Sequence, residues 1–381
     1  MRELQFVRSG RLAWAEKPDP QLIDSSDAIV RPFVVSRCDG DTLPLHRPVS
    51  RALQFGMAVG AVDPVVGCIC GKVPFKGPFG IGHECVAEVV EVGPDVQNLR
   101  PGQIVVVPWA VSCGTCHNCQ LGLTSKCTTT TDKTLAAFGF GPSSGNWGGM
   151  IADRFRVPYA DHMLVPVPAG TDPLRVAAAS DNLADAWRSV VPGLESRPGG
   201  PVLVLGGGAK SIGLFAAGLA VAKGASTVDY LDDDAGRRRI AEAMGARAQA
   251  LSGSRKLRNI GASARRYDVV VEATSNAPGL RMAIGSLAPG GTCTAVGYYL
   301  ATGTRVPLMK MYATDATLKV GVSHARAALP EMLEFVDRAQ FPAESVTTIT
   351  ADWEDAPRVY AERTTKLVLR RDRLDTFDFK R

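Results

Sequence analysis

An α/β chain in two parts, a mostly β part and a doubly wound parallel sheet, is predicted by three observations. The 381 residues are too many for one comfortable hydrophobic core. The first 110 residues read as short β-rich runs separated by Gly and Pro turns. From about residue 201, apolar strand-like runs alternate with helical ones, the pattern of βαβ units.

The strands of the first part follow from local pattern. Phe6 to Trp14 alternates around a Ser9-Gly10 turn, and Ile29 to Val35 is a β-branched run that leads into Cys38. Val86 to Val92 and Ile104 to Val107 are two more strands, separated by turns at Gly93-Pro94 and at Arg100-Pro101-Gly102. Residues 172–191 read as a helix opening on Asp172 and Pro173, an N-cap and first-turn pair. Pro201 to Leu205 is a buried-strand run, and Gly206-Gly207-Gly208 then precedes an Ala- and Leu-rich helix from about Ile212 to Lys223. Thr227 to Leu231, Tyr267 to Val271 and Thr292 to Val296 continue the strands, with helices between them. Beyond about residue 322 the pattern mixes again, which assigns the tail to the first part. The expected division is 1–181, 182–322 and a return over 323–381.

Composition excludes several classes of function. The chain is 45% hydrophobic and 21% charged, with a formal charge of +5, the profile of an ordinary globular protein. The basic runs Arg237 to Arg239 and Arg370-Arg371 are short and stand beside aspartates. Neither nucleic acid nor a membrane surface is an expected partner. No apolar stretch follows a basic start, and the most apolar segment, 201–225, is broken by Lys210 and a Gly run. Nine cysteines without a secretion signal argue for reduced thiols and metal ligation in a cytoplasmic protein.

Gly206, Gly208 and Gly213 open a helix directly after a hydrophobic strand. Glycines there let the backbone approach a pyrophosphate, whose charge the helix N-terminus stabilises. Asp232 stands 19 residues beyond Gly213, at the end of the next strand. A carboxylate there accepts hydrogen bonds from a ribose diol and repels a 2′-phosphate, so the expected cofactor is NAD. The spacing has two more residues than G-x-G-x-x-G, which predicts a looser turn in which Lys210, Ser211 or Ile212 approaches the phosphates. Arg237 to Arg239 lie close to Asp232 in sequence and could hold a 2′-phosphate, which favours NADPH; Arg237 is a further cofactor candidate.

Cys113, Cys116, Cys119 and Cys127 form C-x2-C-x2-C-x7-C. Four thiolates complete a tetrahedral zinc and leave no position for substrate, so this zinc is structural. An iron–sulfur run would place its fourth cysteine three residues on, followed by Pro; here the gap is seven and Thr128 follows. A catalytic zinc needs three protein ligands and an open position. Cys38, and His83 with Glu84, are candidates on either side of the cysteine loop.

Taken in order, Cys38-Asp39-Gly40-Asp41, Gly82-His83-Glu84, the cysteine loop, Trp147-Gly148-Gly149, Ser180-Asp181-Asn182, the Gly-rich turn with Asp232, and Glu272-Ala273-Thr274 resemble the zinc-containing medium-chain alcohol dehydrogenases. The start Cys-Asp-Gly-Asp and Asp181 look most like the bacterial branch near formaldehyde dehydrogenases. The resemblance implies a GroES-like catalytic domain and a Rossmann domain. It also implies a catalytic zinc on Cys38, His83 and Asp181, with Glu84 beside it and Asp41 orienting His83. With the structural zinc this makes two zincs per chain. It further places Thr274, Val296 and Gly297 near the nicotinamide, makes Arg326 a contact to the cofactor phosphates, and suggests a homodimer or homotetramer. Hydride transfer between NAD and an alcohol, aldehyde or ketone is the activity implied.

Two departures bear on mechanism and substrate. The family's proton-relay positions hold Gly40 and Leu43, leaving Thr42, His46, Asp39 or water as the route. Cys38 to His83 spans 45 residues, about twice the family spacing. The extra segment near 47–78, together with the adjoining Phe79, carries Phe55, Met57, Cys68, Cys70 and Phe75 as a candidate pocket lining, a subunit contact or a plain loop. Two rival readings follow: an NADPH-dependent reductase of a bulkier carbonyl, and a catalytically idle protein that binds nucleotide and zinc.

Overall fold

The computed structural model describes residues 1–131, 135–251 and 266–374. Two compact units are found. The first comprises residues 1–184, 324–338 and 347–381, and the second 185–323 and 339–346.

The first unit is built mainly of antiparallel strands. Ala28–Ser36 runs beside Glu84–Val92, with Ile104–Val107 next to the latter and Leu367–Arg370 on the other side of Ala28–Ser36. The last pairing sets Val368 opposite Ser36, so the returning tail enters the sheet where the chain runs toward Cys38. Arg2–Arg8, Arg11–Glu16 and the two-residue strand Phe79–Gly80 make a smaller sheet. Alternation puts Leu4, Phe6, Val30, Val35, Ala87 and Val107 into one core together with Met150, Trp353 and Leu369. Phe79 belongs to this core, its ring 5.2 Å from that of Phe6, and with Pro78 it also lines a surface cavity. That segment carries two short helices, Ser50–Ala58 and Val65–Cys70. Ser143 Oγ, bonded at 3.0 Å to the Ile69 carbonyl, ties it down, while Phe55 stays 69% exposed.

The helix expected from residue 172 begins ten residues later, as Asn182–Ser196. The cause is local. Ser180 accepts from Trp109 N through its carbonyl (3.2 Å) and from Cys85 N through its hydroxyl (3.0 Å). These bonds tie the chain at Ser180 to the first sheet and its flanking loop, and 173–181 stay in turns. The delay leaves Asp181 just ahead of the helix, and the Asn182 N–H donates to Glu84 Oε1 at 2.7 Å. An anion at a helix start satisfies an otherwise orphaned donor and complements the dipole.

The second unit contains a parallel sheet, in spatial order Arg247–Gln249, Val228–Leu231, Val202–Leu205, Tyr267–Glu272, Leu287–Ala295 and Thr317–Val320. This is the doubly wound sheet the alternation predicts. Its central strand, Val202–Leu205, is buried along its whole length, as expected when helices cover both faces. The helix Lys210–Ala222 is buried from Ser211 to Ala220.

Leu203 lies in the centre of that sheet and is fully enclosed. Leu203→Ala is expected to lower the unfolding free energy by about 3 kcal/mol, measured by denaturant titration followed through the second unit.

Candidate functional site

The four cysteines of the loop come together: all four sulfur atoms lie within 4.8 Å of one another, and none is in a disulfide. Backbone N–H groups already point at them. Thr115 N and Cys116 N donate to Cys113 Sγ at 3.4 and 3.3 Å, and Cys113 N donates to Cys127 Sγ at 3.4 Å. Burial raises thiol pKa values, yet hydrogen bonds from neighbouring backbone groups outweigh it at Cys116 and bring that thiol down to about 5. Four converging thiols held by N–H donors fit a closed zinc site.

A second cluster joins Cys38, His83 and Asp181, whose ligand atoms also lie within 4.8 Å of one another. Cys38 follows the strand Ala28–Ser36, His83 precedes Glu84–Val92, and Asp181 precedes the helix Asn182–Ser196. The Cys38 thiol donates to Asp181 Oδ2 at 3.1 Å. The His83 ring is 1% exposed, and neither ring nitrogen has a hydrogen-bond partner. Asp41 Oδ1 lies 3.6 Å from Nδ1, and Asp181 Oδ2 lies 3.5 Å from Nε2. A buried imidazole with both nitrogens short of a partner is costly unless something occupies the gap. One soft and two harder donors around that gap fit a zinc with an open coordination position.

Electrostatics point the same way. Burial pushes the Cys38 thiol well above its ordinary range, and the nearby Asp181, Glu84 and Asp41 add to this. Asp41 and Glu84 are raised, chiefly by burial. Burial alone would lower His83, but the facing carboxylates of Asp41 and Asp181 prevail and raise it to about 9. Anions crowded out of water in this way favour a cation among them.

Around the cluster stand residues that the sequence did not single out. Lys366, 1% exposed, places Nζ 2.6 Å from Glu84 Oε2, 2.8 Å from Asn182 Oδ1 and 2.9 Å from the Arg37 carbonyl. Ser36 also donates to Glu84. The Tyr360 hydroxyl donates to Asp41 Oδ2 at 2.8 Å, and Arg37 Nη1 donates to the Tyr360 and Glu362 carbonyls at 2.6 and 2.7 Å. On the apolar side, Phe140 lies 4.7 Å from the His83 ring, centroid to centroid, and Trp109 lies 5.5 Å from Phe140. Of the proton-route candidates, Thr42 Oγ1 donates to the Asp39 carbonyl at 2.7 Å. His46 Nε2 lies 3.0 Å from the Ala361 carbonyl.

In the second unit the glycine turn is tight rather than loose. The helix begins at Lys210, so the additional residues extend its first turn instead of the loop. Ser211 and Ile212 are buried in that first turn. A Cβ on Gly206 would lie 2.4 Å from Asp232 Oδ2 and 2.6 Å from the Tyr230 hydroxyl, so only glycine fits there. A Cβ on Gly213 would meet nothing closer than 3.5 Å, an ordinary contact. Asp232 is 1% exposed and fully engaged. Oδ2 accepts from Tyr230 Oη (2.8 Å) and Arg237 Nε (2.7 Å), and Oδ1 accepts from Arg237 Nη2 (2.7 Å) and Asp234 N (2.8 Å).

Glu272, buried at the end of the adjacent strand, accepts from Thr274 N at 2.8 Å, from the Thr274 hydroxyl and from the Tyr299 hydroxyl. Val296 N bonds the Glu272 carbonyl at 3.1 Å, and Gly297 packs against Ser275. Arg326, in the first unit, donates through Nε to the His162 carbonyl; His162 in turn lies 2.9 Å from Ser112 Oγ, next to the cysteine loop.

Comparison with known proteins places these observations in a family. Residues 56–169 match the alcohol dehydrogenase GroES-like domain, and residues 211–338 match the zinc-binding dehydrogenase domain. D-altritol 5-dehydrogenase of Agrobacterium fabrum is 30% identical over 343 residues, which are 88% of each chain. A medium chain reductase/dehydrogenase of Acremonium sp. is 31% identical, over 78% of this chain and 93% of its own. Among solved structures, an alcohol dehydrogenase from Thermus sp. ATN1 superposes with a TM-score of 0.81 at 28% identity, covering 97% of this chain and 99% of that one. No helix among the described residues is long and apolar enough to cross a membrane.

Gly206→Ala is expected to displace the Asp232 carboxylate and weaken NADH binding by at least about tenfold, on the scale of one to two lost hydrogen bonds. Fluorescence titration measures the binding, and the zinc content is expected to stay at the parent value.

Proposed function

The chain belongs to the zinc-containing medium-chain alcohol dehydrogenases, and from that premise we propose that it is an NAD-dependent alcohol dehydrogenase or aldehyde reductase acting on a small alcohol or carbonyl. The observation that carries this reading is the trio Cys38, His83 and Asp181, the first two buried and the third half-buried, with the two His83 ring nitrogens lacking hydrogen-bond partners. Three protein ligands leave a position for substrate, whereas the four-cysteine loop leaves none. On this reading the protein holds two zincs.

When bound, zinc supplies Lewis acidity that lowers the pKa of an alcohol hydroxyl, and NAD supplies the hydride acceptor. The chain's own residues prepare the site. Asp41 faces His83 Nδ1, and Tyr360 fixes Asp41, so the imidazole presents Nε2 inward. Phe140 and Trp109 make the neighbourhood of His83 apolar, which excludes water and suits the carbon skeleton of a substrate. In the second unit the Gly206–Gly208 turn and the start of the helix Lys210–Ala222 would receive the pyrophosphate. Asp232 would receive the adenine ribose, and Thr274, Val296 and Gly297 the nicotinamide end. Gly40 and Leu43 carry no proton. The proton route is left to Thr42, His46, Asp39 or water.

A second reading has one observation in its favour. Arg237 forks onto Asp232, so a cation stands at the ribose position, as an NADPH enzyme would require. Titration with both reduced cofactors separates the two; the expected result is tighter binding of NADH, and tighter binding of NADPH would sink the NAD assignment. Metal analysis tests the idle alternative. About two zincs per chain are expected, with Cys38→Ala keeping one and losing alcohol turnover with NAD; a parent protein holding one zinc would instead support the idle reading.

A homodimer or homotetramer is proposed through the outer strand Thr317–Val320. Val320, with Leu308, Met309 and Tyr312 from the helix before that strand, is exposed there, and among the described residues the strand is paired on one side only, an edge that invites pairing. Sedimentation is expected to give a multiple of the chain mass, and Val320→Lys to shift it toward the single chain.

A further inference from the structure

Asn182 stands beside a proposed ligand, and its side chain makes more contacts with the site than any one ligand requires. It is completely buried. Nδ2 donates to Cys38 Sγ at 3.1 Å and to Asp181 Oδ2 at 3.3 Å. Oδ1 accepts from Asp39 N at 3.1 Å and from Lys366 Nζ at 2.8 Å. The last two groups can only donate, so the amide has one satisfactory orientation; flipped, its NH2 would face two donors. Both ends of the side chain are therefore committed, one to two anionic ligands and the other to a buried ammonium.

We propose that Asn182 is a positioning residue that sets the donor strength and placement of Cys38 and Asp181 toward the catalytic metal. The proposal rests on the reading of Cys38, His83 and Asp181 as the zinc site. Cys38 Sγ also accepts from Gly40 N at 3.2 Å, so two N–H groups point at one sulfur. A thiolate that accepts hydrogen bonds gives less electron density to its metal. A metal less neutralised by its ligands is the stronger Lewis acid, and hydrogen bonding around ligand atoms tunes metal sites in this way. Lys366 strengthens the effect, because an ammonium on the amide oxygen polarises the amide and makes its N–H groups better donors. The same amide joins a ligand after the strand Ala28–Ser36 to a ligand just before the helix Asn182–Ser196, which holds the two at a fixed separation.

The test uses the whole protein with cobalt exchanged into the three-ligand site and zinc kept in the cysteine loop. The sulfur-to-cobalt charge-transfer band is assigned to Cys38 by its loss in Cys38→Ser. Asn182→Leu keeps the volume and removes the donor, and Asn182→Ala serves if the leucine variant does not fold. Loop zinc and NADH binding at parent values establish that the fold is intact. Expected in either variant is a shift of the band to longer wavelength, because the sulfur without its donor is richer in electrons. Removal of cobalt by a chelator is expected to be about tenfold faster, the lower end of what outer hydrogen-bond partners confer. Cys38 and Asp181 are then no longer held at a fixed separation, and this loss of placement outweighs the stronger sulfur donor. A folded variant with the parent band and the parent release rate overturns the role of Asn182 alone. A parent protein with no Cys38-dependent band overturns the zinc-site reading and this assignment with it.

Discussion

The first unit is organised around acidic groups taken wholly or partly out of water. Cys38, Asp41, Glu84 and Asp181 crowd around one histidine, and burial raises the pKa of Cys38, Asp41 and Glu84. Unpaired buried charge costs several kcal/mol per ion, so the surrounding architecture has to supply compensation. Lys366 on Glu84, Tyr360 on Asp41 and the Asn182 N–H at a helix start each do so. These groups come from distant parts of the chain, which makes the polar cluster a tertiary constraint rather than a local motif.

That constraint gives the returning tail a reason to exist. The strand Leu367–Arg370 adds to the sheet beside Ala28–Ser36, and Lys366, immediately before it, is delivered to Glu84. Arg37, at the end of the neighbouring strand, bonds the Tyr360 and Glu362 carbonyls and fixes the approach of the same tail. A chain that stopped after the parallel sheet would leave Glu84 buried without its ammonium. The sequence break near residue 322, visible only as a change of texture, is thus where the chain goes back to complete its first unit.

What was legible in the sequence is what short-range spacing encodes. The cysteine loop is held within fifteen residues, and the glycine turn and Asp232 lie within one βαβ step, so each is readable locally. The trio Cys38, His83 and Asp181 came from an ordered series of motifs that resembled a family; spacing alone would not have linked Cys38 to Asp181 across 143 residues. Lys366, Tyr360 and Arg37 stayed invisible because a buried cation looks like any other lysine or arginine until its partner is known. Phe140 and Trp109 were likewise ordinary aromatics in loops. The misplaced start of the helix before Ser196 has a different cause: Asp172-Pro173 is a sound local signal, and the long-range bonds of Ser180 override it. The looseness expected of the glycine turn failed because helix propagation absorbs inserted residues without changing the loop.

Asp232, the proposed ribose position, shows how far the chain departs from the motif. A carboxylate has about four acceptor sites, and at Asp232 four donors from the chain itself fill them. On the proposed reading, a ribose diol joins this carboxylate only by displacing one of those donors, and Arg237 is the partner with an exit, since Tyr230 is fully buried and Asp234 N belongs to the backbone. Binding then exchanges one charge-assisted hydrogen bond for another, and the net gain is the difference between them, smaller than the strength of either. The freed guanidinium stays beside the ribose, where a 2′-phosphate would reward it and a hydroxyl would not. Discrimination between the two dinucleotides therefore lies in the strength of the Asp232–Arg237 pair, not in the presence of the aspartate. The tighter that pair, the less a phosphate can recruit the arginine.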